Sequence, residues 1–277
     1  YRNSTTIMEE HINKFFISFA IAIVTTLLAW KKGFFRIDTP EKGRISLWEA
    51  LFAFVICLVV VPFVTTFIIY AVSAILSLDI IEKFHGWMVV LTICVTFITI
   101  VAYTLGVVER KAVKQIFGDF TMKNVAIGAL TWCVAAPVVI ATVELCAIVV
   151  LYITGTVEGE QSAVTQFRAT MEYPVLKAVM AVMIVTIVPF TEELLFRGYL
   201  QNFLKKITSR SVAIIVTALI FTMFHYSYGI GMKNIVLLSG LFVFSIALGY
   251  ICERQKSLWA AITLHMIFNA VTITALF

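Results

Sequence analysis

What constrains this chain most is a series of eight long apolar runs. Residues 15–30, 47–72, 87–108, 125–152, 175–190, 212–226, 235–252 and 258–277 are each nearly free of charge. A helix needs about 20 such residues to cross a bilayer, and only a helix or a closed barrel satisfies its own backbone there. The expected fold is all-α: a polytopic membrane protein with about eight transmembrane helices. Composition agrees, with 61% hydrophobic and 13% charged residues, where soluble domains carry about 25% charged. Pro62, Pro137 and Pro189 fall inside runs and predict kinks.

The charges between the runs alternate. Lys31, Lys32, Arg36, Lys42 and Arg44 follow the first run, and only Lys83 follows the second. Arg110, Lys111, Lys114 and Lys123 follow the third, and only Arg168 follows the fourth. Lys205, Lys206 and Arg210 follow the fifth, Lys233 the sixth, and Arg254 and Lys256 the seventh. The positive-inside rule then puts the basic-rich connections in the cytoplasm and both termini outside. The net charge of +5 is thus divided among headgroup-level clusters and makes no nucleic-acid face. One membrane domain, 1–277, is expected. Residues 1–173 supply four spans and an outer loop, and 174–277 supply four more. That loop, 153–173 with Glu158, Glu160 and Glu172, reads as solvated rather than as a lid. The first run ends in Lys31 and Lys32 without a small-residue cleavage site, so it is expected to stay as a span. Cys57, Cys94, Cys133, Cys146 and Cys252 sit in or at the ends of apolar runs and are expected to pack as small hydrophobes.

Against this background a few polar residues stand out. "TEELLFRGYL" puts Glu192, Glu193 and Arg197 at the end of the fifth run. "FTMFH" puts His225 four residues after Phe221 in the sixth, and "HMIFN" puts His265 and Asn269 four apart in the eighth. Residues at that spacing share a helix face, and Glu193 and Arg197 stand in the favourable order for an ion pair. Measured from the basic residues at the cytoplasmic ends, Glu192 lies about 21 Å deep, His225 about 22 Å, His265 about 14 Å and Asn269 about 20 Å. Three spans therefore carry their rare polar groups to one level, and an ionisable group at that depth marks a functional site by default.

Each group has a plainer use. Glu193 with Arg197 is a common structural pair. A lone His225 can be a hydrogen-bonded packing residue, and His265 with Asn269 can join helices. Phe221 reads as packing, and Gly198, Gly240 and Gly249 read as close-approach positions. Taken together, two acids, two imidazoles and an amide favour a site. A Glu can take a proton from water while an imidazole or carboxamide stabilises the oxyanion. Glu192, His225 and His265 also make a zinc-type ligand set, with Glu193 left as base, although HExxH is absent. Asp38, Asp79 and Asp119 lie near loops, so no aspartyl dyad forms, and no GxSxG elbow occurs. No inverted repeat suggests a transporter.

"EELLFR", "FTMFH" and "LHMIFN" resemble the EExxxR, FxxxH and HxxxN pattern of the CPBP intramembrane proteases. That family includes type II CAAX prenyl endopeptidases and bacterial bacteriocin-processing and immunity proteins. The resemblance covers about residues 175–270; the first four spans carry no recognised motif. It implies endopeptidase activity without a nucleophilic side chain. Glu192 would activate water with help from His225, His265 and Asn269 would stabilise the oxyanion, and Glu193 and Arg197 would shape the site. A zinc-type ion stays open in that family. Compact loops point to a bacterial plasma membrane, and to a small peptide or membrane-associated substrate before a prenylated tail. The rival is a non-catalytic scaffold or an immunity protein that binds a peptide.

Overall fold

The computed structural model describes residues 4–39, 41–76, 80–156 and 173–275. Asp79, Glu158, Glu160, Arg168 and Glu172, and with them most of the outer loop, lie outside the described residues. Nine helices follow one another among the described residues, with no strand. They are α1 (Ser4–Lys31), α2 (47–76), α3 (Ile80–Gly106), α4 (Arg110–Phe117), α5 (Met122–Thr154), α6 (Pro174–Ile207), α7 (Arg210–Met223), α8 (Lys233–Gln255) and α9 (Leu258–Thr274). Six of them, α1, α2, α3, α5, α6 and α8, are long and apolar enough to cross a membrane. The protein is a multi-pass, all-α membrane protein.

The sixth run is short, as its 15 residues suggest, and the eighth comes out shorter than its run. Helix α7 has 14 residues and α9 has 17, about 21 and 25 Å at 1.5 Å per residue. Helix α7 stops at Met223, and the chain then turns towards α8 through Gly229 and Gly231, both at positive φ where a side chain would be strained. His225 therefore lies in the turn just past α7 and not on the helix itself. Asn234 at the start of α8 holds that turn. Its Oδ1 accepts from the Ser227 amide at 3.0 Å and its Nδ2 donates to the Ser227 carbonyl at 2.9 Å.

Helix α4 does not show among the apolar runs. It is amphipathic, with Ala112 and Ile116 buried and Arg110, Lys111 and Lys114 exposed. Such a helix lies along the membrane interface rather than across it. Helix starts are capped by their own sequence. Ser46 and Glu49 form a reciprocal capping box at α2, and Thr121 accepts from the Asn124 amide at α5.

Pro62 and Pro189 each follow a single π-helical turn, 56–60 and 183–187, whereas α5 continues through Pro137. All five cysteines are free thiols. A further polar contact, unannounced by any motif, joins α1 to α5: His11 Nδ1 meets Glu144 Oε2 at 2.5 Å.

The basic-rich connections come together on one face, as the alternation requires. Arg254 Nε and Tyr250 Oη donate to the Phe34 carbonyl, both at 2.6 Å. Arg210 Nη1 donates to the Asp38 carbonyl at 2.7 Å. Asn202 on α6 accepts from the Arg44 and Ile45 amides, at 2.8 and 3.1 Å. These bonds fix the end of α6 against the segment that enters α2.

Close helix approach depends on glycine, as expected at Gly198, Gly240 and Gly249. A Cβ on Gly240 would lie 2.5 Å from Val143 Cγ2, and one on Gly249 2.6 Å from Gln201 Oε1. At Gly198 it would meet Ile116 Cγ2 at 3.0 Å. Helix α5 also crosses α9 closely, where a Cβ on Gly128 would strike the Ala260 carbonyl oxygen. Gly128→Val should therefore force the two helices apart. A loss of about 1–3 kcal/mol is expected from overpacking, read as a lower melting temperature of the detergent-purified protein. A variant that melts with the wild type would refute this contact.

Candidate active site

Helix α6 carries the acids, and its own packing decides which of them is available. Glu193 and Arg197 are both fully buried, with Glu193 Oε1 2.9 Å from Arg197 Nη1. Arg197 Nη2 donates to Ser245 Oγ at 2.6 Å and to the Ser245 carbonyl at 3.0 Å. The Phe221 ring lies under the guanidinium, 4.8 Å from its centroid. This pair is thus held from three sides and does not line the cavity described next.

Glu192 points elsewhere. About a quarter of its side chain is exposed (26%), and it lines a cavity of about 270 Å³ together with His225, His265 and Asn269. The rest of the wall is mostly apolar, including Val89, Ile184, Leu241 and Phe268. Four of the six residues singled out from sequence therefore open onto one space, and Glu193 and Arg197 stand behind it.

The imidazoles are held by their Nδ1 edges. His265 Nδ1 meets Glu193 Oε1 at 2.7 Å, and His225 Nδ1 meets the Phe221 carbonyl at 2.8 Å. A carbonyl can only accept, so His225 carries a proton on Nδ1 and its Nε2 is free. His265 Nε2 lies 3.6 Å from Glu192 Oε2. The Phe221 ring leans against His225 at a tilt, with ring centroids 4.5 Å apart, and meets His265 edge-on at 6.1 Å. It is a packing residue, as expected, and one that touches both histidines and the arginine. His225 keeps its place beside Phe221 although it has left the helix.

Asn269 is placed by a backbone defect. In the π-helical turn the Val188 amide bonds to Met183 O, five residues back. The next carbonyl, Ile184 O, would need the amide of residue 189, which is a proline and has none. Asn269 Nδ2 donates to this orphaned oxygen at 2.8 Å. An amide nitrogen has two protons, so one remains for the cavity. Sequence reasoning missed both this role of Pro189 and Ser245 as the partner of Arg197. A proline just before the acids, and a serine in an apolar span, were the available signals.

A zinc-type ion on Glu192, His225 and His265 fits only in part. Both Nδ1 edges are engaged and both Nε2 atoms are left over, as in many metal-bound imidazoles. Among the described residues, however, no three His, Cys, Asp or Glu side chains are gathered so as to hold a metal ion.

The family model described as Type II CAAX prenyl endopeptidase Rce1-like matches residues 174–271. The match begins at the first residue of α6 and ends in α9, so it spans all six polar residues of the site. It agrees with the CPBP resemblance of the three motifs. It leaves 1–173 unmatched. No curated protein and no solved structure matches the chain.

The buried pair makes a test. Arg197→Met strands Glu193 without its counter-charge, and breaking a buried pair this way costs about 3–5 kcal/mol. A large drop in melting temperature or in folded yield is expected, with Glu193→Gln added to Arg197→Met restoring most of it. Arg197→Met alone melting like the wild type would show that Glu193 does not need this partner.

Proposed function

We propose, from a C-terminal stretch that matches a family of membrane endopeptidases, that this protein hydrolyses peptide bonds inside the membrane with water activated by Glu192. The observation that carries the reading is that Glu192, His225, His265 and Asn269, from three separate parts of the chain, line one cavity. In this reading residues 174–277 perform the chemistry and 1–173 are scaffold within the same membrane domain. The substrate is a small peptide or membrane-associated tail, cut towards the cytoplasmic half of a bacterial plasma membrane.

The geometry suits each role. Glu192 is the acid with access to water, and it accepts the proton as hydroxide attacks the scissile carbonyl carbon. His225 presents its free Nε2 to the same water. The oxyanion forms opposite, within reach of the spare amide proton of Asn269 and of a proton carried on His265 Nε2. The proton on Glu192 then passes to the leaving amine as the C–N bond breaks. Glu193 does not react. With Arg197 it holds the far edge of His265, so the ring presents one nitrogen to the cavity.

Glu192→Gln should lower cleavage of a peptide library by about 10²–10⁴-fold. Its melting temperature should stay put, because the amide keeps the shape of the side chain and the Glu192–His265 pair is already long at 3.6 Å. Near-normal cleavage would overturn the assignment and favour a peptide-binding scaffold. Pro189→Ala gives residue 189 an amide proton for Ile184 O and so releases Asn269. Cleavage should fall, no further than in Asn269→Ala, for which the loss of an oxyanion donor predicts about 10²–10³-fold. A Pro189→Ala enzyme that is fully active would disprove the link.

A further inference from the structure

A second cavity, of about 680 Å³, opens on the face where the basic-rich connections meet. It shares no lining residue with the cavity at Glu192. Arg44, Lys111, Lys114, Lys123, Arg210 and Lys256 line it. The carboxylates on its wall are fewer, and two are already engaged. Glu41 pairs with Lys256 at 3.1 Å and Glu253 with Lys205 at 2.9 Å. The hydrogen bond from Lys256 holds the Glu41 carboxyl below its ordinary range. Arg44, Lys111, Lys114 and Lys123 form no ion pair among the described residues.

Backbone adds to the positive field. Helices α5 and α9 both begin on this wall, at Thr121 and Ser257. Ser257 is turned away from its own helix, its hydroxyl on the Phe117 and Asp119 carbonyls at 3.3 and 3.4 Å. No side chain caps α9 as a result, which leaves the positive end of its dipole uncompensated beside this wall.

The geometry points to this cavity as a binding site for a phosphate group, carried either by an anionic lipid headgroup or by a soluble phosphate. A single carboxylate would offset only one of these cations. A phosphate accepts several charge-assisted hydrogen bonds at once and suits both lysine clusters and helix starts. Arg197 also reaches this cavity from behind the acid pair, but the proposal uses none of the residues that line the cavity at Glu192.

Binding is measured on the full-length protein in phosphatidylcholine nanodiscs, by saturable shifts in melting temperature. One arm adds phosphatidylglycerol to the disc, the other adds pyrophosphate to the buffer. The Lys111→Ala, Lys114→Ala, Lys123→Ala triple variant should bind the effective probe roughly a hundredfold more weakly, at about fivefold per basic residue near an anionic group. A triple variant of equal charge, Lys31→Ala, Lys32→Ala, Arg36→Ala, lies outside the cavity and should bind as the wild type does. Asp119→Asn, which removes the remaining unpaired carboxylate from the wall, should tighten binding, a gain that misfolding cannot mimic. Selective loss in the phosphatidylglycerol arm identifies a lipid site, and in the pyrophosphate arm a soluble one. Equal weakening by both triple variants, or no saturable shift with either probe, would overturn the proposal.

Discussion

The buried contact between Glu193 and Arg197 governs the rest of the site. Two charges sit buried side by side, and each needs partners from the protein, although Glu193 Oε2 and Arg197 Nε find none among the described residues. Arg197 meets this need through Ser245 and the face of Phe221, and Glu193 through Arg197 and His265. In doing so the pair joins α6 to α7, α8 and α9. The carboxylate next door on α6 is then forced to a different side of the helix, since consecutive residues are about 100° apart. One acid is sequestered and the other is presented, and the division follows from helix geometry.

A second placement rests on something missing. Proline at 189 cannot donate, and the wider turn before it shifts the hydrogen-bond ladder by one residue. Together they leave a single carbonyl bare at the cavity wall, and Asn269 from α9 is the group that covers it. Without the wider turn, the amide of Val188 would be the natural partner of Ile184 O. Irregular backbone at membrane depth is tolerated where other protein groups complete it, and here the completion also orients a side chain.

Much of this was legible in the chain. Long apolar runs gave the class of fold. The i, i+4 spacings and the distances from basic residues brought Glu192, His225, His265 and Asn269 to one level, and those four do share a cavity. The rest was hidden for identifiable reasons. Helix α4 is short and rich in lysine, so it looks like a loop to any search for apolar length. His225 reads as helical until Gly229 and Gly231 are allowed to turn the chain. His11 and Glu144 are 133 residues apart, and nothing local to either foretells their contact. The division of labour between Glu192 and Glu193 needed the positions of Ser245 and Phe221, which only the folded packing supplies.

Along α6, Glu193, Arg197, Gln201 and Lys205 recur every four residues, and Arg197, Gln201 and Lys205 meet Ser245, Gly249 and Glu253 at the same interval on α8. Matching teeth of this kind tolerate no half-steps. Sliding one helix past the other would break every bond in the row at once and bury the separated ends in a medium that cannot solvate them. The α6–α8 wall is consequently a fixed jamb.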